Sequence, residues 1–197
     1  TPPAKSYRII PDRIEAASFL ALGALAAKEL TVTGIEPAHL DAVIQGLESM
    51  NVPLSVSKDS ITVRAPEKLL PTRLRTHEYP GFATDAHPPF LILLTQAEGE
   101  SVMIESIFDG RLKYTEELVK MGADIKIVSP HRANIRGKTP LSAADIETPD
   151  IRAGLAFMLG AIIAKGTSKV SNAHLIDRGY ESIEQRLTKI GVSIQRV

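Results

Sequence analysis

The segments LESMNVPLSV (47–56), LVKMGADIKI (118–127) and LTKIGVSIQR (187–196) decide the fold, because they are three copies of one pattern. Each begins as the end of an amphipathic helix and continues, after a short break, as a β-strand pattern. Their first residues are leucines, which lie 71 and 69 residues apart. Solenoid repeats are about 20–50 residues long, so a period of about 70 indicates a compact three-lobed domain. We expect all three leucines to be buried at equivalent positions.

A long apolar helix is predicted near the start of each copy. These helices follow Asp12, Asp85 and Asp150. They cover about residues 16–27, 89–96 and 151–164. Apolar residues occur on nearly every side, which is typical of helices at the centre of a domain. A second, half-exposed helix is predicted in each copy, at about residues 38–50, 112–121 and 179–190.

Short β-strand patterns complete each copy. They lie at residues 7–10, 30–32, 54–56, 61–64, 101–104, 168–170 and 192–196, around Leu74, and in a hairpin over 125–135. The predicted fold class is therefore α/β (α+β), with three repeated helix–strand–helix–strand units around buried helices. The units cover approximately residues 7–64, 72–136 and 139–197. No linker pattern separates them, so we expect residues 1–197 to form a single domain.

The composition restricts the classes of function. The chain has 197 residues, of which 44% are hydrophobic, and equal numbers of basic and acidic residues, 23 each. A net charge of zero argues against a general nucleic-acid or membrane-surface binder, which would carry a basic excess. The chain has no cysteine, which excludes disulfides, thiolate zinc sites and a cysteine nucleophile within it. Its apolar stretches are about half the length of a membrane span.

The three helix-start aspartates have two interpretations. An aspartate at this position caps a helix by accepting hydrogen bonds from its free N–H groups. Three helix starts on one side of the domain would also form a positively polarised face that attracts anions. The residues alone leave both interpretations open.

Three arginines strengthen the second interpretation. They are Arg111 in IFDGR, Arg152 in PDIRAG and Arg178 in IDRGY, each near a predicted helix start. A cation there opposes the helix dipole by about 0.3–1 kcal/mol, which indicates an anionic ligand. The plain alternative is that Arg111 and Arg178 pair with the adjacent acids Asp109 and Asp177.

Other chemical motifs are weak. The five histidines share no metal-ligand spacing, and we interpret them as surface or loop residues. No glycine-rich phosphate loop occurs. The residues by themselves predict a three-fold α/β domain with an anion-binding face.

A set of motifs resembles one enzyme family. IPDRIEAASFL (10–20), the Thr84–Asp85 pair, IFDGR (107–111), PDIRAG (149–154) and IDRGYESIEQRL (176–187) occur in this order. Together they resemble the C-terminal part of the UDP-N-acetylglucosamine 1-carboxyvinyltransferases, a branch of the enolpyruvyl transferase family. The resemblance covers nearly the whole chain, and the last motif is its most specific element. The 5-enolpyruvylshikimate-3-phosphate synthases share the fold but not this set of motifs.

The resemblance implies an enolpyruvyl-transferase-like, inside-out α/β domain that is half of a two-domain enzyme. It implies transfer of the enolpyruvyl group from phosphoenolpyruvate to the 3-hydroxyl of UDP-N-acetylglucosamine. This reaction opens peptidoglycan synthesis in the cytoplasm and needs no metal or cofactor. The partner of this chain would be the Cys-loop domain of the same enzyme, without which we expect no activity.

The resemblance also implies roles for seven residues. Asp85 corresponds to the acid that handles the proton of the attacking sugar hydroxyl. The residues implied to bind substrate are Thr84, Ile107, Arg111, Asp150, Arg152 and Arg178. Thr84 and Ile107 fall where the UDP-sugar binds. Arg178 matches an arginine that meets the phosphate or carboxylate of phosphoenolpyruvate. Arg111 and Arg152 match arginines that line the same cleft, with Asp150 as a structural partner.

One departure concerns the residues that follow Asp85. The family has a Gln-containing helix start there, whereas this chain has AHPPF (86–90). Pro89 has no N–H to donate, so the sequence predicts a later helix start and leaves the direction of Asp85 open. A non-catalytic binding or scaffolding module of the same fold is an alternative function. A transferase acting on shikimate 3-phosphate is another.

Overall fold

The computed structural model describes residues 6–197, which form seven α-helices and nine β-strands. The helices are α1 (Arg13–Ala26), α2 (Asp41–Ser49), α3 (His87–Gln96), α4 (Thr115–Lys120), α5 (Ile151–Ile163), α6 (His174–Asp177) and α7 (Ile183–Lys189). The strands are β1 (Glu29–Thr33), β2 (Leu54–Val56), β3 (Ser60–Arg64), β4 (Arg73–Arg75), β5 (Gly99–Ile104), β6 (Asp124–Ser129), β7 (Arg132–Gly137), β8 (Asp145–Glu147) and β9 (Lys169–Ser171). Short 3₁₀ turns at Pro37–Leu40 and Arg111–Tyr114 precede α2 and α4.

Three of the helices form the centre of the molecule. α1, α3 and α5 pack against one another, and each is the first helix of its predicted unit. In α3 every residue from His87 to Thr95 is buried. A helix that is apolar on all sides can be stable only where other elements cover every side, so these helices take the interior position. This confirms the predicted α/β class with buried helices.

Three small sheets lie around these helices. The first has the strand order β1-β3-β2 and is antiparallel throughout. The second has the order β4-β5-β7-β6, in which only β4 and β5 run parallel. The third pairs β8 with β9 in parallel. The hairpins predicted in the first two units are therefore correct.

The three leucines that define the repeat occupy the core. Leu47, Leu118 and Leu187 are each 0% exposed, near the end of α2, α4 and α7 respectively. Their equivalent burial confirms the prediction made from the period. The predicted unit bounds and the assignment of residues 1–197 to one domain stay predictions, and residues 1–5 lie outside the described part.

Two predicted strands are wrong. Residues 7–10 and 192–196 have no strand neighbour within residues 6–197. Tyr7 and Ile9 are more than 80% exposed, at 83% and 82%. Near the other end, Arg196 binds Asp177 and Glu184 through its side chain. An alternating pattern becomes a strand only when a second strand lies alongside, and neither segment has one here.

Two helix starts also differ from the prediction. α7 begins at Ile183 and not at residue 179, because Ser182 has a positive φ of 47° that interrupts the helix. α3 begins at His87, earlier than predicted, with Pro88 and Pro89 in its first turn. The first N–H groups of a helix have no partner within it, so prolines there remove no hydrogen bond.

Candidate functional site

Two of the three helix-start aspartates are helix caps. Asp12 accepts hydrogen bonds from the N–H groups of Ile14 (2.8 Å) and Glu15 (3.1 Å) at the start of α1. Asp150 accepts from the N–H groups of Arg152 (2.8 Å) and Ala153 (3.0 Å) at the start of α5. Both aspartates satisfy N–H groups that a helix start leaves unpaired.

Asp85 is different, because it binds two arginines and does not cap α3. The N-cap of α3 is Ala86, which makes no side-chain cap. Arg111 Nη2 donates to Asp85 Oδ1 at 2.8 Å, and Arg152 Nε donates to Oδ2 at 3.3 Å. The Asp85 side chain is 38% exposed. The carboxylate is thus held between two cations and remains open on one side.

These contacts exclude the plain pairing of each arginine with the acid beside it. Asp109 contacts His131 Nε2 at 3.1 Å and is otherwise exposed. Asp177 accepts two hydrogen bonds from Arg196, at 2.7 and 2.8 Å. Arg111 therefore reaches past its neighbour to a carboxylate 26 residues earlier in the chain.

Arg178 lies beside this cluster without joining it. Its side chain is exposed and forms no ion pair with any residue of the described range 6–197. The turn that carries it rests on the first turn of α5. A Cβ at Gly179 would lie 2.7 Å from Ile151 Cγ2 and 3.2 Å from Arg152 Nη1. The absence of a side chain at position 179 thus lets the turn that carries Arg178 pack against Ile151 and Arg152.

Arg152 has a second partner and a spare donor. Its guanidinium carbon lies 5.4 Å from the centre of the Tyr180 ring. The Tyr180 hydroxyl is 3.0 Å from Ser18 Oγ on α1, and burial raises its pKa, so it stays protonated. Arg152 Nη1 and Arg111 Nε are buried with no hydrogen-bond partner in residues 6–197. Guanidinium groups bind carboxylates and phosphates, and these two donors could serve an anionic ligand once the side chains turn toward it.

A buried carboxylate, Glu105, follows β5 directly and binds Thr84, the residue before Asp85. Its side chain is 0% exposed. Glu105 Oε1 accepts from Thr76 Oγ1 (3.0 Å) and from the N–H groups of Ile107 (2.7 Å) and Phe108 (3.1 Å). Oε2 accepts from Thr84 Oγ1 at 2.6 Å. Burial alone would raise the pKa of Glu105, but hydrogen bonds to its oxygens lower it to about 2.

His87 is the remaining neighbour of Glu105. Its Nδ1 lies 3.1 Å from Glu105 Oε2 and 3.0 Å from the carbonyl oxygen of Thr84. Burial lowers the pKa of His87, so the ring is neutral near pH 7. Both neighbours of Nδ1 only accept hydrogen bonds, so Nδ1 carries the proton. The interpretation of all histidines as surface or loop residues is wrong for His87, which is fully buried.

Sequence reasoning missed the Glu105 and His87 pair. Glu105 directly follows the strand pattern SVMI and precedes IFDGR (107–111), a position where a charge usually faces solvent. An acid placed between a buried strand and a suspected site loop was the available signal. Within residues 6–197, no three His, Asp or Glu side chains come close enough to share a metal ion.

Comparison with known proteins places the chain in a family. The model of the family EPSP synthase (3-phosphoshikimate 1-carboxyvinyltransferase) matches residues 2–187. The chain belongs to this family. It is 44% identical over 191 residues to the UDP-N-acetylglucosamine 1-carboxyvinyltransferase of Koribacter versatilis, and 46% identical over 192 residues to that of Acidobacterium capsulatum. These matches confirm the resemblance seen in the motifs.

The matches cover this chain almost fully but the relatives only in part. Each match covers 97% of this chain and 44% of the relative, so the chain spans less than half the length of these relatives. A third relative, the enzyme of the same name from Campylobacter lari, is 40% identical, with 98% and 46% of the two chains covered.

Solved structures confirm the fold class. The enolpyruvyl transferase NikO from Streptomyces tendae superposes with a TM-score of 0.89 at 27% identity, covering 95% of this chain and 44% of NikO. An EPSP synthase from Acinetobacter baumannii superposes with a TM-score of 0.72 at 16% identity, covering 97% and 44%. The second likeness shows the fold alone. No helix in residues 6–197 is long and apolar enough to cross a membrane.

Proposed function

We propose that this chain is one half of a two-domain carboxyvinyltransferase. The complete enzyme transfers the enolpyruvyl group of phosphoenolpyruvate to the 3-hydroxyl of UDP-N-acetylglucosamine, the first step of peptidoglycan synthesis, in the cytoplasm. The observation that carries the proposal is the Asp85 carboxylate held by Arg111 and Arg152 beside the exposed Arg178. The names of the relatives support the choice of sugar substrate.

Asp85 is the proton acceptor in this proposal. Transfer begins when the sugar oxygen gives its proton to Asp85 and forms a bond to C2 of phosphoenolpyruvate, while C3 takes a proton from an acid of the other half of the enzyme. Loss of that added C3 proton and of phosphate then gives the enol ether. A general base must come within hydrogen-bond distance of the hydroxyl, and the exposed edge of Asp85 allows such an approach. In this proposal the sugar is contacted by Thr84 and Ile107, which are both held by Glu105.

The arginines bind the anionic substrate. Phosphoenolpyruvate carries a carboxylate and a phosphate, and a guanidinium group can donate two parallel hydrogen bonds to either. Arg152 Nη1 and Arg111 Nε have no partner in residues 6–197, and Arg178 has no ion pair there. Asp150 acts indirectly, since it caps α5 and so fixes the turn that carries Arg152.

A second candidate function is transfer to shikimate 3-phosphate. The description of the matching family model, which names 3-phosphoshikimate, favours it. The two functions differ in the acceptor hydroxyl and share the enolpyruvyl donor, so acceptor preference separates them.

The test is phosphate release by the product of the complete reading frame that carries this chain. We expect release from phosphoenolpyruvate with UDP-N-acetylglucosamine, and no release above background with shikimate 3-phosphate. The 197-residue chain alone should release none, because closing a cleft over substrate and excluding water require both halves. Omission of either substrate is the control. Release with shikimate 3-phosphate only would replace the proposal by the second candidate.

A further inference from the structure

Glu105 is the only buried acid in residues 6–197. Its two oxygens accept hydrogen bonds from two different segments that carry proposed site residues. Oε2 binds Thr84, which precedes Asp85, and Oε1 binds the backbone of Ile107, which leads to Arg111. The proposed function gives no role to this acid.

We propose that Glu105 is a positioning residue that makes the Thr84 hydroxyl a hydrogen-bond acceptor toward a hydroxyl or amide N–H of the acceptor sugar. The inference rests on the proposed function, because it concerns how the same site recognises its sugar. It specifies the direction of the hydrogen bond: Thr84 Oγ1 accepts from a donor group of the sugar and has no proton to donate to it.

The direction of this hydrogen bond follows from which of the groups around Glu105 carry a proton. An ionised carboxylate only accepts hydrogen bonds, so the single proton of Thr84 Oγ1 must point to Glu105 Oε2, at 2.6 Å. His87 donates to the same oxygen from Nδ1. No proton remains on the Thr84 oxygen for a ligand, whereas its lone pairs are free. The low pKa of Glu105 keeps this arrangement at neutral pH.

The other oxygen holds the loop that leads to Arg111. Oε1 accepts from the N–H groups of Ile107 and Phe108, and from Thr76, whose oxygen in turn accepts from the N–H of Ser106 at 2.8 Å. Two of these three partners are backbone N–H groups, which can only donate hydrogen bonds. A glutamine at position 105 would therefore direct its carbonyl oxygen, and not its NH₂ group, toward them.

Glu105→Gln is the informative change for this reason. The carbonyl oxygen of glutamine can keep the three contacts of Oε1, and its NH₂ group then faces Thr84 and His87. Thr84 must accept from that group and turn its own proton outward, and His87 can take its other tautomer. The donor group of the sugar then faces the proton of the Thr84 hydroxyl and can no longer donate to its oxygen. The shape of the site is nearly unchanged.

The experiment measures both substrates on the product of the complete reading frame. We expect Glu105→Gln to raise the KM for UDP-N-acetylglucosamine by about 10-fold or more, with the KM for phosphoenolpyruvate within about 3-fold. The matched control is Glu100→Gln on the same strand, where an exposed side chain accepts from Asn134 at 2.9 Å. The control should change neither KM by more than about 2-fold.

A double-mutant cycle separates positioning from a general structural effect. Thr84→Val should raise the sugar KM by itself, and adding Glu105→Gln to it should then change that KM by less than about 2-fold. The proposal would be overturned if the two substitutions raised the sugar KM independently, so that their effects added in the double variant. It would also be overturned if Glu105→Gln left the sugar KM unchanged.

A second pair of variants applies if Glu105→Gln does not fold. Thr84→Ser should then bind the sugar like wild type, and Thr84→Val should bind it more weakly. Equal binding by these two variants would overturn the proposal. Failure of the wild type to use UDP-N-acetylglucosamine would instead refute the proposed function.

Discussion

Replacement of Asp85 by asparagine should lower kcat by about 100-fold or more, since a positioned proton acceptor contributes that much to a transfer step. Asparagine has nearly the same shape as aspartate but cannot take a proton at neutral pH. The dissociation constant for UDP-N-acetylglucosamine should change only a few-fold, because the sugar keeps its other contacts. Steady-state phosphate release and calorimetric titration of the product of the complete reading frame measure the two quantities.

The control for this prediction is Asp109→Asn. Asp109 lies in the same loop as Arg111, yet its side chain is 90% exposed, and within residues 6–197 it forms an ion pair only with the His131 ring. Activity should stay within about 2-fold of wild type in this variant. Full activity in Asp85→Asn would remove the proton-acceptor role and leave only the fold assignment.

Replacement of Phe157 by alanine should destabilise the protein by about 3–5 kcal/mol, the usual cost of removing a fully buried phenylalanine. Phe157 is 0% exposed in the middle of α5, and its ring centre lies 6.2 Å from that of Tyr114. The lost side chain leaves a cavity that the three packed helices cannot close. Urea unfolding followed by far-UV circular dichroism measures this, because the chain has no tryptophan for fluorescence.

Phe108→Ala is the matched variant for stability. The Phe108 side chain is 51% exposed, and its ring lies 5.6 Å from the guanidinium carbon of Arg111. Loss of the Phe108 ring should lower the free energy of unfolding by no more than about 1 kcal/mol. Equal losses at both positions would contradict a core formed by α1, α3 and α5.

The parts of the fold that follow from local pattern were predictable. The three repeat leucines are buried because each lies on the apolar face near the end of an amphipathic helix. Helix periodicity is visible within a single segment of sequence, so their burial could be predicted. The segments at 7–10 and 192–196 have good strand patterns, yet neither is a strand. Pairing depends on a neighbour elsewhere in the chain, which a local pattern does not contain.

The site shows the same division between local and long-range information. The caps at Asp12 and Asp150 were predictable, because an aspartate before a helix acts on the next three residues. Asp85 resembles them in sequence but binds Arg111 and Arg152, which lie 26 and 67 residues further along. The burial of Glu105 depends on donors from three separate segments, and composition and spacing do not reveal that arrangement.

The most direct test of the central claim is a distance in a crystal structure of the complete protein with UDP-N-acetylglucosamine bound. The sugar 3-hydroxyl oxygen should lie about 2.6–3.2 Å from an Asp85 carboxylate oxygen, or one water away from it. Arg111 and Arg152 should still contact Asp85 or have turned toward the anionic substrate. A sugar whose 3-hydroxyl is far from Asp85, with the carboxylate still bound only by the two arginines, would contradict the account.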